Sequence, residues 1–334
     1  MSSKEATRQG RSLRTRLLII FAVLLLILSA AGYLAGDYFF RYALTRNSGS
    51  EKRQVQTTEK AKEAEDQRSL LVQEAKAQAE EAWKAYAERE QRRELKTSDG
   101  LLLRAFSLEP EQRKEDSWVV LVHGYKTKHE AMKAYALHYL QQGYRVLMPD
   151  NRAHGQSEGQ ILGMGILDAQ DIQAWLEQLR QEEAGAQFIL HGVSMGAATV
   201  MNVAAANPEG VKAVIEDCGY SSVHAIFSSE LKKRYGLPAF PILNFAELVG
   251  RLKGGYAFDL LRPVDSVAKT RLPLLLIHGE ADDFVPYAML DELYQAAAGH
   301  KQRLSIAGAG HAQSVYLQPD AYWQAVDQFL ANWR

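Results

Sequence analysis

Short apolar runs recur along the second part of this chain, each set off from the next by a stretch that reads as helix or turn. They are WVVLVHG (118–124), YRVLMPD (144–150), QFILHG (187–192), VKAVIEDC (211–218) and LPLLLIHG (272–279). A run apolar at every position is buried on both faces, which is the pattern of a parallel strand covered by helices. QRLSIAG (302–308) predicts a last strand, and AYWQAVDQFLANW predicts a terminal helix. Ahead of these, ELKTSDGLLLRAF reads as a hairpin about Asp99–Gly100. The expected architecture is α/β, a mostly parallel sheet with helices on both faces, over residues 93–334. Ligands of such sheets lie at the carboxyl ends of the strands.

The chain begins differently. Leu17–Gly36 carries no charge, and its twenty residues suffice to span a bilayer. Lys4, Arg8, Arg11, Arg14 and Arg16 precede it against the single acid Glu5, whereas only Asp37, Arg41 and Arg46 follow before Ser50. That bias keeps residues 1–16 in the cytoplasm as a basic tail and the domain over 93–334 outside it, with 17–36 as a single-pass signal anchor. The alternative is a secreted form, with a signal peptide cleaved at the small residues 29–31. Residues 37–92 have the Ala, Glu, Lys, Gln and Arg content of a charged helical stalk, with Leu71, Ala75, Ala82 and Tyr86 as its best apolar stripe. A net charge of −1 argues against nucleic acid as a partner. A lone cysteine, Cys218, excludes an internal disulfide or a zinc site built on cysteines.

One strand runs straight into GVSMG (192–196) and then a helix. A serine between two glycines in a strand-to-helix turn is the setting of a nucleophile elbow. Gly192 and Gly196 let strand and helix pass closely, and Ser194 projects its hydroxyl over the sheet edge. Such a hydroxyl needs a histidine to take its proton and an acid to orient that histidine. His311, in a loop after the last strand, fits the base. His123, His191 and His278 end strands beside glycines and are read as packing or bonding backbone, while His129, His138, His224 and His300 are read as solvated. Asp282 is the expected acid, chosen over its neighbours Glu280 and Asp283. Asp217, read as capping the following turn, is the other contender. Backbone N–H groups of Met195 and Tyr125 are the expected oxyanion hole.

In family order, HGY (123–125), PDNRAHGQSEG (149–159), GVSMG, HGEADDFVP (278–286) and GHAQS (310–314) resemble the motifs of the α/β-hydrolase superfamily. The likeness is greatest to bacterial membrane-anchored hydrolases of the cell envelope, near the prolyl-oligopeptidase-like and esterase branches. It implies a Ser-His-Asp triad, no cofactor and no metal. Ala153 departs from the glycine usual in such chains, in a loop whose Asp150, Arg152 and His154 are read as structural. The insertion 221–263, with Phe227, Leu231, Tyr235, Leu237, Pro238, Phe240, Phe245 and Phe258, is expected to form a helical cap and a pocket for an apolar group. The expected activity is carboxylic-ester hydrolysis on a small-molecule substrate with an apolar group. The alternatives are a serine peptidase and, as another class, a non-catalytic envelope scaffold.

Overall fold

A computed structural model describes residues 3–46, 59–114 and 117–333. Eight strands form one sheet: β1 (Gln91–Lys96), β2 (Leu102–Leu108), β3 (Ser117–Val122), β4 (Arg145–Pro149), β5 (Gln187–Val193), β6 (Val211–Asp217), β7 (Leu274–Gly279) and β8 (Lys301–Ile306). Their order across the sheet is β1-β2-β4-β3-β5-β6-β7-β8. The first hairpin adds antiparallel to one edge, and β4 to β8 with β3 run parallel.

The helices are α1 (Ser3–Leu44), α2 (Glu59–Ala87), α3 (Lys133–Gln141), α4 (Leu167–Glu182), α5 (Met195–Ala204), α6 (Val223–Tyr235), α7 (Ile242–Val249), α8 (Pro263–Val267), α9 (Ala288–Ala296), α10 (Ser314–Leu317) and α11 (Pro319–Ala331). Alternation along β3 shows why its sequence is apolar throughout. Val119 and Leu121 join the core under α3 and α11, while Trp118, Val120 and Val122 join the core under α4 and α5. Each such buried aliphatic side chain is worth ~1.5–3 kcal/mol of transfer free energy.

The N-terminal third departs from a free-standing stalk. Thr15–Leu44 is one continuous helix, apolar and long enough to cross a membrane. Its last turns enter the domain, where Phe40 and Leu44 are buried in a third core with the cap residues Tyr256 and Phe258. Arg46 fastens this end by donating to the carbonyl oxygens of Ser157 and Gly155, at 2.6 and 2.5 Å. The α2 helix lies against the sheet domain through Val72, Ala79, Trp83 and Tyr86, at helical spacings of seven, four and three. The stripe expected from sequence is corrected at two positions, because Leu71 and Ala82 are exposed while their neighbours Val72 and Trp83 face inward. Trp83, a large buried ring, sets the contact face. Residues 47–58 of the expected stalk, and the side chains of the basic tail up to Arg14, lie outside the described residues.

Candidate active site

Strand β5 ends at Val193, and α5 begins at Met195, so Ser194 occupies the single residue between them. Its φ of 57° is a conformation that costs an L-residue energy and is held by its surroundings. Those surroundings explain both glycines. A β-carbon on Gly192 would overlap the carbonyl of Gly196, and one on Gly196 would overlap that of Val122 in β3. Ser194 N–H donates to the Asp217 carbonyl of β6 at 2.8 Å, which ties the turn to the sheet.

Above this turn the chain brings together residues far apart in sequence. His311 Nε2 lies 2.8 Å from Ser194 Oγ, and His311 Nδ1 lies 2.7 Å from Asp282 Oδ2. Asp282 follows β7 and is fixed from its other oxygen, which accepts the N–H groups of Phe284 and Val285, each at 2.9 Å. Burial alone raises a carboxyl's pKa. Here hydrogen bonds from His278 and His311 outweigh burial and hold Asp282 well below the usual carboxylate range. An ionised carboxylate therefore faces His311 Nδ1.

Asp217 behaves in the opposite way. Burial pushes its carboxyl up to about 6, although the hydroxyls of Tyr322 and Tyr135 donate to it at 3.0 and 3.3 Å. It does not cap the turn that follows. Glu216 takes the Gly219 N–H at 2.9 Å, and Ser222 caps α6. The reading of Asp217 as a cap is therefore corrected.

Gly124 lies against Ser194, since a β-carbon there would sit 3.3 Å from the serine Cβ. Tyr125, the next residue, lines both cavities with Ser194, and Met195 heads α5. Among the described residues, neither amide joins a backbone hydrogen bond outside the regular elements. The Lys126 amide donates to His154 Nε2 at 3.1 Å, and Asp150 accepts from the His129 and Gln156 amides, so the Asp150–His154 loop shapes this wall. Arg152 is held by Asp171 through two hydrogen bonds, at 2.7 and 2.6 Å.

Two histidines expected in solvent are corrected. His129 is buried against Phe106 and bonds Asp150 at 2.9 Å. His138 is half-buried, stacked on Trp323 and bonded to Asp327. Each finds a carboxylate from a distant element, which no local pattern announces. His278 does bond backbone, at Val285 O, but also stands 3.3 Å from Asp282 Oδ2. Its place four residues before Asp282, at the end of the same strand, was the available signal. The ligating atoms of Cys218, Asp282 and His311 lie within 4.8 Å of one another. Both His311 nitrogens already face hydrogen-bond partners, which fits proton transfer better than metal binding.

Two cavities meet at Ser194, with Tyr125 and Phe284 on their shared wall. The more apolar of the two encloses about 990 Å³ counting its open mouth. Phe227, Leu231, Tyr235 and Phe258 of the cap line it. Leu237 and Phe240 instead face outward, and Phe245 packs on α1. Its opposite wall was missed from sequence: Phe39, Phe40, Tyr42, Ala43 and Leu44, the end of α1. Tyr125 locks the two walls together by donating to the Ala43 carbonyl at 2.6 Å. The second cavity, about 790 Å³, is bounded by Lys76 of α2, Thr127, Tyr135 and His311.

This sheet order, with a serine elbow after β5 and a helical insertion between β6 and β7, decides the fold. The chain has the α/β-hydrolase fold. A profile of the family described as "Serine aminopeptidase, S33" matches residues 113–236. The chain is 29% identical over 216 residues to the uncharacterized protein YqkD of Bacillus subtilis, covering 64% of this chain and 71% of that one. It is 25% identical over 196 residues to the α/β hydrolase domain-containing protein WAV2 of Arabidopsis thaliana, covering 56% and 61% of the two. Among solved structures, the Pyrococcus furiosus esterase Pf2001 superposes with a TM-score of 0.61 at 22% identity, covering 73% of this chain and 91% of that one.

Proposed function

We propose that this hydrolase cleaves carboxylic esters through Ser194, His311 and Asp282, on a domain held to the membrane by α1 with its N-terminus in the cytoplasm. The observation that carries the reading is the hydrogen-bonded relay of 2.8 and 2.7 Å, opening on an apolar cavity at the carboxyl ends of the strands. Ser194 Oγ attacks the ester carbonyl as His311 Nε2 takes its proton. The oxyanion is received by the amides of Met195 and Tyr125, at the positive end of α5. Collapse breaks the bond to the alcohol, which leaves with the proton from His311. Water then gives a proton to His311 and attacks the acyl-serine. Free acid departs and Ser194 regains its hydrogen. Asp282 orients the imidazole throughout.

The family description favours a second reading, a serine aminopeptidase of the prolyl-oligopeptidase-like kind. A free α-amino group calls for a carboxylate in the acyl pocket. The acid lining that pocket, Glu230, has its charge offset by Arg234, whose Nε lies 2.7 Å from Oε2, which favours the ester, although its Oε1 has no hydrogen-bond partner among the described residues. Purified full-length protein should hydrolyse p-nitrophenyl acyl esters and be labelled by a fluorophosphonate. Ser194→Ala should abolish both, lowering kcat by about 10⁴–10⁶-fold. Cleavage of aminoacyl-proline amides alone would favour the peptidase. Absence of labelling, or labelling that survives Ser194→Ala, would favour a non-catalytic scaffold.

A further inference from the structure

The helix proposed to carry the hydrolase to the membrane is the same helix that walls its apolar cavity. Counting from Gly36, the last residue of the apolar span, Phe40 lies ~6 Å and Leu44 ~12 Å further along the axis. The headgroup layer beyond a bilayer's hydrocarbon is ~5–7 Å thick on each side. The cavity therefore begins at headgroup level and ends just above it.

The cap descends on the same side. Gly32 and Gly36 leave room for α7, because β-carbons there would collide with the Phe245 ring and backbone. Gly32 stands about one turn inside the span, which puts Phe245 at the depth of the acyl chains. Lys253 meets Asp37 at 2.5 Å, marking the level where charge returns. The cap that packs on α1 also exposes Phe240 at 75%, Leu252 at 68% and Leu248 at 44%. Tyr38, also exposed, sits where aromatic rings line membrane interfaces.

We propose that the substrate is a membrane amphiphile, an ester whose acyl chain rises from the leaflet between α1 and α7 into the apolar cavity, with its carbonyl at Ser194 and its alcohol part toward the second cavity. The inference rests on the ester-hydrolase reading and on α1 as an uncleaved span. The Phe39–Leu44 segment then sets acyl-chain selectivity. Water enters the acyl-serine from the polar side, near His311, and the released acid returns to the bilayer.

The test uses the full chain in phosphatidylcholine vesicles with 4-methylumbelliferyl palmitate as probe. A palmitoyl chain leaves a bilayer slowly, at ~0.8 kcal/mol per methylene. Ester in the protein's own vesicles should be cleaved at least about ten-fold faster than the same ester in separate vesicles of the same lipid. Ala43→Phe, which fills the cavity from the α1 wall, should lower the palmitate-to-acetate rate ratio by about ten-fold or more. Retained fluorophosphonate labelling would show that this variant is folded, and if it does not fold the two-vesicle comparison decides alone. Equal rates from shared and separate vesicles, an unchanged ratio in folded Ala43→Phe, or protein that separates from the vesicles would each overturn the inference while acetate is still cleaved. Loss of acetate cleavage and of labelling together would sink the ester reading itself.

Discussion

The two sides of this candidate active site are made in different ways. The proposed reacting side is a set of tight turns at strand ends: Ser194 after β5, Asp282 after β7 and His311 after β8, all within one sheet edge. The selecting side is assembled from the end of α1, the 221–263 cap and Tyr125, joined by apolar contacts and the hydrogen bond from Tyr125 to Ala43. Chemistry at the first side depends on displacements of a few tenths of an ångström, which a backbone ladder can hold. Selection at the second depends on volume, which packed rings can supply. Damage to the first should stop turnover of every ester. Damage to the second should reorder esters while leaving some turnover.

The sharpest contrast lies between two buried aspartates at neighbouring strand ends. Asp282→Asn should lower kcat by about 10⁴-fold on every ester, because an amide cannot steady an imidazolium and favours the wrong tautomer. Asp217→Asn should change kcat by no more than about three-fold, ~0.6 kcal/mol, since that carboxyl faces Tyr322 and Tyr135. Steady-state rates on p-nitrophenyl butyrate separate them. The reverse pattern would move the acid to β6 and break the geometry claimed for the reacting side.

A cap substitution should act selectively. Phe227 lines the apolar cavity and meets Phe258 edge-on, with centroids 5.3 Å apart. Phe227→Ala should lower kcat/KM for a twelve-carbon acyl ester by about ten- to a hundred-fold, the worth of a lost apolar contact of ~1.5–3 kcal/mol. The acetyl ester should fall far less. Equal losses on both would mean that Phe227 supports the reacting side and that the division drawn here is false.

The same division governs what the sequence discloses. The strand-to-helix turn at Ser194 was readable because its reason is local: two glycines whose missing β-carbons let backbone segments touch, set between an apolar run and a helix. The sheet was readable for a similar reason, as a strand buried on both faces leaves an unbroken apolar signature. The α1 wall was not. DYFFRYAL after Gly36 looks like the charged stretch that follows it, and Phe40 and Leu44 gain a role only when α7 settles on Gly32 and Gly36 from more than 200 residues away. His129 and His138 were misread for the same cause, each having a partner on another element. Periodicity reports that a residue faces inward, never what waits there.

Ala153 offers the smallest effect and a test of how strain is distributed on the reacting side. It holds a φ of 60° in the turn after β4, where its N–H donates to Glu158 O at 2.8 Å. That conformation disfavours alanine by ~1–2 kcal/mol relative to glycine. Two terms oppose the relief that Ala153→Gly would bring. Glycine widens the unfolded ensemble by ~0.4–1 kcal/mol, and the buried methyl forfeits up to ~0.8 kcal/mol of transfer free energy. The three nearly cancel, which accounts for alanine at this position. Thermal unfolding of Ala153→Gly should therefore shift Tm by less than ~2 °C, given ~2–4 °C per kcal/mol at this size. A rise beyond ~4 °C would reveal strain that packing does not offset. A fall in kcat at unchanged Tm would tie the turn, through His154 and the Lys126 amide, to the oxyanion wall.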